Sequence, residues 1–352
     1  MGFEDDPRET GESLVPLPGK EEKGMLIYLL ISLVKVLIVF TAMLLIVAYM
    51  TLMERKVLGH MQVRMGPNRV GPFGLLQPVA DGIKLFFKED IIVPYANRII
   101  YILAPGVIVT TALVSYAVIP FGDTIKIMGQ SIDLVVADVN VGLLYLFAVS
   151  SLGVYGVVMG GWASNNKYSL LGSIRSSAQM ISYELSLGLS IVGVLMITGS
   201  LSLTKIVGAQ SPVWFILYQP LGFIIYLISA VAECSRTPFD LTECENELVA
   251  GYQTEYSSMK FALYYLAEYI HILVVSSLAV SLFFGGWQGP FLPPVIWFLI
   301  KVFIFIFFFI WIRATFPRFR YDQLMKFGWK VLFPLSLVNI LVTAVFIILF
   351  FK

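Results

Sequence analysis

Five carboxylates, Glu233, Asp240, Glu243, Glu245 and Glu247, fall within fifteen residues of this chain, between two strongly apolar segments. Neighbouring carboxylates repel, so some of them must hold protons more tightly than a free Glu does, with coupled titrations. A cluster of that kind can store, sense or relay protons. Two more acids stand inside apolar segments. Glu184 lies beside Gln179, Ser182, Tyr183 and Ser186, and Glu268 shares a helical face with Tyr264 and His271. A charge at the bilayer centre costs about 2.5–3.5 kcal/mol on insertion scales, so such residues face a cavity or a partner. Ion pairs that fix helix packing are the other use of such charges, and Lys35 and Lys301 also stand in apolar runs.

The elements that must position these groups are membrane helices. The chain is 58% apolar, only 13% charged, and has a mean hydropathy of +0.84. Soluble domains carry about 25% charged residues, so an all-α integral membrane protein is expected. The net charge of +1 argues against a nucleic-acid partner. Cys234 and Cys244 do not form a Cys-x-x-Cys pair, and the histidines are His60 and His271. That is too few ligands for an iron–sulfur cluster or a paired-His haem, and neither a P-loop nor a dinucleotide fingerprint is present. Any redox cofactor is therefore expected on other chains. Residues 1–24 read as a polar tail without fixed structure, because the basic region of a signal peptide is missing. Residues 25–352 read as one polytopic membrane domain.

Eight apolar segments meet the requirement of about 20 residues for a spanning helix: 25–53, 98–120, 138–161, 177–199, 213–233, 260–285, 293–313 and 330–351. Neither an internal repeat nor a span clearly broken by Gly or Pro is evident. Most basic residues, among them Arg55, Lys56, Arg64, Arg175, Arg236, Arg313, Arg318 and Arg320, follow the odd-numbered spans. The positive-inside rule then puts the loops at 54–97, 162–176, 234–259 and 314–329 in the cytoplasm, and both termini outside. Both cysteines should be reduced thiols there.

Within the first of these loops, Leu76, Val79, Ala80, Ile83, Phe86 and Phe87 recur at helical spacing, with Gln77, Asp81, Lys84 and Lys88 opposite. This predicts an amphipathic interfacial helix, either a plain anchor or one wall of an entrance for a lipid-soluble substrate. In the acidic loop, Thr237 as N-cap, Pro238 as first helical residue and Asp240 in the first turn predict a helix that Gly251 would end. Asp240, Glu243 and Glu247 would share one face of it, and Glu245 would point elsewhere. Two readings stay open for that helix: a solvated acidic surface, or a proton-active element continuing from Glu233 and Arg236 at the membrane edge. Glu184, Glu233 and Glu268 all fall in the cytoplasmic half of their spans. That asymmetry predicts a half-channel open inward, from which protons pass sideways to another protein.

Four stretches carry a resemblance. They are Glu54 to Asp90 with Gly66-Pro67-Asn68-Arg69-Val70-Gly71-Pro72, Gly160-Gly161-Trp162-Ala163-Ser164-Asn165-Asn166-Lys167-Tyr168, the acidic loop to Glu255-Tyr256, and Arg313 to Trp329 with Pro317-Arg318-Phe319-Arg320-Tyr321-Asp322. Together they resemble the H subunit of proton-translocating NADH–quinone oxidoreductase, respiratory complex I, over nearly everything after residue 25. The resemblance implies a bacterial plasma (inner) membrane protein that joins two soluble quinone-chamber subunits to small membrane subunits and the antiporter-like subunits beyond. Quinone is the implied substrate, with FMN and iron–sulfur clusters on partner subunits and none here. It implies a quinone passage at Arg55, Arg313, Arg318 and Asp322, with Asp81, Glu243, Glu245 and Glu247 at the junction between chamber and channel. It further implies a proton pathway through Glu184, Glu233 and Glu268, with Arg175 at the entrance of span four. Asp240 belongs with the coupling acids of the loop.

The chain departs from that family at Ser235, where Asn is usual, and at Cys234 and Cys244, where small residues are usual. His271 is not a fixed feature either; it reads as a modifier of Glu268 or as packing. The related membrane subunit of an energy-converting hydrogenase shares the spans and acids, but the basic first loop and the Gly-Pro-Asn-Arg-Val-Gly run favour the quinone enzyme. A stand-alone proton-coupled transporter would be expected to show repeats and broken spans.

Overall fold

The computed structural model describes residues 18–127, 130–240 and 248–350. Contacts divide the chain into two units, residues 1–42 and 43–352. The described part of the first is the N-terminal portion of helix α1 (Pro18–Met61). Its apolar side chains, Leu33, Leu37 and Ile38 among them, are exposed, as befits a surface meant for lipid. Helix α1 starts inside the segment read as a tail and continues past the expected end at 53 through Glu54-Arg55-Lys56.

The second unit continues with α2 (Gln77–Phe87), α3 (Arg98–Ser115) and an antiparallel hairpin of β1 (Thr124–Ile127) and β2 (Gln130–Asp133), with Thr124 opposite Asp133. Then come α4 (Gly142–Ala163), α5 (Lys167–Thr198), α6 (Leu203–Ala209), α7 (Phe215–Tyr218) and α8 (Pro220–Glu233). The chain closes with α9 (Ser258–Phe283), α10 (Pro294–Thr315), α11 (Tyr321–Phe327), a π turn and α12 (Phe333–Phe350). The protein is an all-α membrane protein, and among the described residues seven helices are long and apolar enough to cross a bilayer. Helix α9 is the most enclosed of these: 83% of its most apolar window is buried.

Three expectations change. The connection between α4 and α5 is the short turn at 164–166, so the expected loop to 176 is helical and Arg175 lies two turns inside α5. Hydropathy alone could not see those two turns, because their buried side is Ser169, Gly172, Ser173 and Ser176 and both Lys167 and Arg175 fall within them. The fifth span is broken. Gln219 leaves helical geometry (φ −131°, ψ 52°), and Pro220, which has no N–H, starts α8. The break is held by buried amides: Gln219 donates to Thr343 Oγ1 at 2.7 Å and accepts from Asn339 at 3.2 Å. Lys301 forms no ion pair among the described residues. Its ammonium donates to the carbonyls of Phe284, Gly286 and Gln288 (2.7, 3.0 and 2.7 Å) beyond the end of α9.

Candidate functional site

Helix α8 delivers the acidic loop by a defined cap. Arg236 N–H donates to Val231 O and Ser235 N–H to Ala232 O, the paired bonds of a Schellman ending. Ser235 takes the left-handed position (φ 49°), which Gly and Asn adopt more readily, a physical reason for the Asn usual there. The cap turns Arg236 back beneath the helix end, where its side chain is only 7% exposed.

The helix predicted to begin at Thr237–Pro238 does not begin there. Those residues form a turn with a cis Thr237–Pro238 peptide, closed by Phe239 N–H on Arg236 O at 2.8 Å. Tertiary partners take the carbonyls a helix would have used. Phe319 N–H donates to Pro238 O at 3.1 Å, and Gln179 Nε2 to Phe239 O at 3.0 Å and to Ala232 O at 2.8 Å. Glu243, Cys244, Glu245 and Glu247 lie outside the described residues.

Arg236 lies between two carboxylates. Its Nη1 is 3.0 Å from Glu54 Oε1, and its Nε is 2.6 Å from Glu268 Oε1. Burial disfavours the guanidinium charge, but Glu268 and Glu54 outweigh burial and hold it firmly cationic. Glu54, from α1, is itself buried; it also pairs with Arg313 of α10 and accepts from the Tyr269 hydroxyl. Sequence reasoning left Glu54 and Tyr269 out of the site. Glu54 looked like the first residue of a loop, and only its continuation of α1 with buried, charged neighbours marks it as part of the site.

Two cavities flank this ion chain. A cavity of about 590 Å³ opens between α1, α2 and α9. Leu44, Val47, Leu58 and Leu266 are among its apolar lining residues, and Glu54, Arg55, Asp81 and Arg313 give it a charged end. Helix α2 turns Asp81 and Lys84 to this cavity and leaves Val79, Ile83, Phe86 and Phe87 exposed outward. An apolar face turned outward fits a helix seated in the membrane interface. The second cavity, about 70 Å³, has room for a few water molecules and is lined by Glu233, Cys234, Tyr264, Glu268 and His271, with Ser and Thr hydroxyls.

Of the expected site residues, Arg55 and Asp81 pair at 2.6 Å, and Arg313 pairs with Glu54, all at the large cavity. Glu233 and Glu268 meet at the small one. Glu184, half-buried in α5, interacts electrostatically with Glu233 and His271. It sits about five turns along α5, because that helix starts ten residues earlier than expected. Two expected residues stand apart from the large cavity's lining. Arg318 pairs with Asp240 at 3.1 Å, and Asp322 is exposed and paired with its neighbour Arg320 at 3.0 Å. Burial pushes the Asp240 carboxyl above the ordinary range and outweighs Arg318 and Arg313, so this loop acid holds its proton tightly. His271 has a further partner beside Glu268: Glu233, at 3.2 Å, across the helix interface.

Asp81 shows the opposite balance. Burial would raise its carboxyl, but the hydrogen bond and charge of Arg55, with Gln77 and Lys84, hold it below the ordinary aspartate value. A depressed carboxyl contributes stability above its unfolded pKa, about 3.9 for aspartate, and loses that contribution as pH falls through the folded value. Asp81→Asn is therefore expected to lower the melting temperature at neutral pH, with the difference from wild type shrinking from about pH 4 downward and vanishing only below the depressed folded value. With Arg55 half exposed, the neutral-pH effect stays under about 1 kcal/mol. Melting curves of the assembled protein at the two pH values check both.

The fold and site thus define a multi-pass α-helical membrane protein in which a buried ion chain separates a large half-apolar cavity from a small acidic one. A family model described as NADH dehydrogenase matches residues 34–344, nearly the whole described chain. The chain is 57% identical over 313 residues to the first of the numbered NADH-quinone oxidoreductase H subunits of Geobacter metallireducens, covering 89% of this chain and 95% of that protein. It is 57% identical over 319 residues to the second numbered H subunit of Syntrophobacter fumaroxidans (91% and 96%) and 55% identical over 322 residues to the H subunit of Thermomicrobium roseum (89% and 94%). The chain belongs to this family, that of the membrane-embedded H subunits of NADH-quinone oxidoreductase, complex I.

Proposed function

We propose that the large cavity admits the quinone and that the buried acids form a half-channel open to the cytoplasm, so that this subunit couples quinone reduction to proton movement. The observation that carries this reading is the chain Glu54–Arg236–Glu268, which joins the charged end of one cavity to the acids of the other. A quinone tail suits the apolar walls, and a headgroup suits the end with Arg55, Asp81 and Arg313. The electrons come from a cluster on a soluble partner. Reduction takes up two electrons and two protons, and a transient charge at the headgroup acts strongly on ion pairs shielded from water. Glu54 moving toward or away from Arg236 would change the field at Glu268, and with it the proton occupancy of Glu233, Glu184 and the loop acids Asp240, Glu243, Glu245 and Glu247. Protons then leave sideways toward the antiporter-like subunits.

In this reading the chain sits in the bacterial plasma membrane with its termini outside and its large loops cytoplasmic, where two soluble subunits close the chamber. The exposed Arg318, Arg320 and Asp322 suit that contact better than a place inside the cavity. The quinone enzyme named in the relatives supports this assignment over the hydrogenase-type subunit. A photoreactive quinone bound to the assembled enzyme tests it: crosslinks are expected on α1, α2 and α9 around Val47, Leu58 and Leu266. Labelling confined to α4, α5 or α12 would sink the passage.

A further inference from the structure

One buried titratable side chain, the imidazole of His271, has no part in the Glu54–Arg236–Glu268 chain or in the acid pathway. We propose that His271 is a proton-carrying residue that exchanges protons with Glu233 at the small cavity; this rests on the half-channel reading. The geometry carries it. His271 is one turn beyond Glu268 on α9, its side chain only 17% exposed, with Nε2 3.2 Å from Glu233 Oε1 of α8. It lines the 70 Å³ cavity together with Glu233, Cys234 and Glu268. The second oxygens of Glu233 and Glu268, two residues that line this cavity, are buried with no hydrogen-bond partner among the described residues. The groups whose charge reaches the ring come from three helices: Glu233 from α8, Glu184 from α5 and Glu268 from its own helix.

Glu184 is not among the residues lining the cavity, although its charge is felt at Glu233 and His271. His271 faces both the cavity and Glu233, within the field of Glu184, and so gives Glu233 a second titratable neighbour beside the cavity water. The step balances simply. Imidazolium and carboxylate become imidazole and carboxylic acid: one N–H bond at Nε2 breaks and one O–H bond at Glu233 forms, and no electron moves. A proton arriving along the cavity water, carried as hydronium, then reprotonates the ring and leaves neutral water behind.

A packing histidine and a proton carrier differ in what replacement does. The test uses the assembled, membrane-embedded enzyme with His271→Asn, and His271→Gln as the bulkier amide; both keep polarity and neither titrates. Quinone-linked proton translocation is expected to fall about a hundredfold, the low end of what a positioned proton-transfer group supplies. The limb of its pH profile in the imidazole range, about pH 5–8, should disappear. NADH oxidation by a soluble artificial acceptor should be unchanged. An unmoved pH profile in an assembled variant overturns the proposal, and so does failure of both variants to assemble, which marks a packing role. Glu184→Gln run alongside separates the two levels. If it is impaired while the His271 variants are normal, only the histidine step fails; if it too is normal, the half-channel reading fails with it.

Discussion

Glu54→Gln is expected to abolish most quinone reductase activity while leaving reduction of soluble acceptors by the hydrophilic arm intact. The substitution keeps the shape of the side chain and removes one charge. What remains is Arg236, almost fully buried, and Arg313 beside it, two guanidinium groups without the anion between them. Removing one partner of a buried pair costs about 3–5 kcal/mol, because the other charge is left uncompensated. The Arg236 side should show part of that cost, since both side chains are under a tenth exposed but Glu268 still pairs with the guanidinium at 2.6 Å. The Arg313 side contributes less, because that side chain is 39% exposed and water screens it. The two arginines then repel, Tyr269 loses its acceptor, and the charged end of the large cavity shifts. A displacement of about 1 Å at a reacting group costs up to roughly a hundredfold in rate. Inhibitor-sensitive NADH–quinone turnover, measured in membranes with comparable assembly, should fall tenfold to a hundredfold by that reckoning. Near-normal turnover in assembled Glu54→Gln would remove Glu54 from the coupling chain.

Glu184→Gln should have its main effect on pumping. Glu184 belongs to α5, touches neither end of the Glu54–Arg236–Glu268 chain in the described contacts, and acts on Glu233 and His271 through its charge. The quinone end of the molecule should therefore remain formed, with the photoreactive quinone still crosslinking where it does in wild type. A glutamine cannot hold or release a proton, so transfer past α5 stops. Protons translocated per electron should fall by more than half, and turnover should slow where the two are tightly coupled. Unchanged stoichiometry in proteoliposomes would take Glu184 out of the pathway. Proton transport by this chain reconstituted alone would count against a half-channel that hands protons to a partner.

Much of the fold was legible because lipid is a demanding solvent. A spanning helix must satisfy its backbone internally and offer about 20 apolar side chains, and both demands are written in consecutive residues. Helix α2 was legible for a similar reason: its period places Val79, Ile83, Phe86 and Phe87 on one face, and that face is the exposed one. Element ends were less visible. Helix α5 begins at Lys167 because Asn166 caps it through Tyr168 N–H, while hydropathy rises only ten residues later. The break at Gln219–Pro220 is not visible in the sequence because its residues lie within an apolar run, and the partners that sustain it, the Asn339 amide and the Thr343 hydroxyl, come from α12, more than a hundred residues on.

The site divides along the same line. The residues able to move protons were visible from type and depth alone, since a Glu in an apolar run is costly wherever it ends up. Their pairing was not. Glu54 meets Arg236 across 182 residues and Arg313 across 259, and nothing local in the sequence encodes either distance. His271 reads as a neighbour of Glu268 because they share a helix face, yet its contact is with Glu233, which α8 brings alongside. The sequence by itself determined that this is a multi-pass membrane protein with titratable groups in its interior, because solvation costs act on each residue separately. The tertiary structure decided which charges compensate one another, and so what separates the two cavities. That choice depends on distances between helices, and only packing sets those.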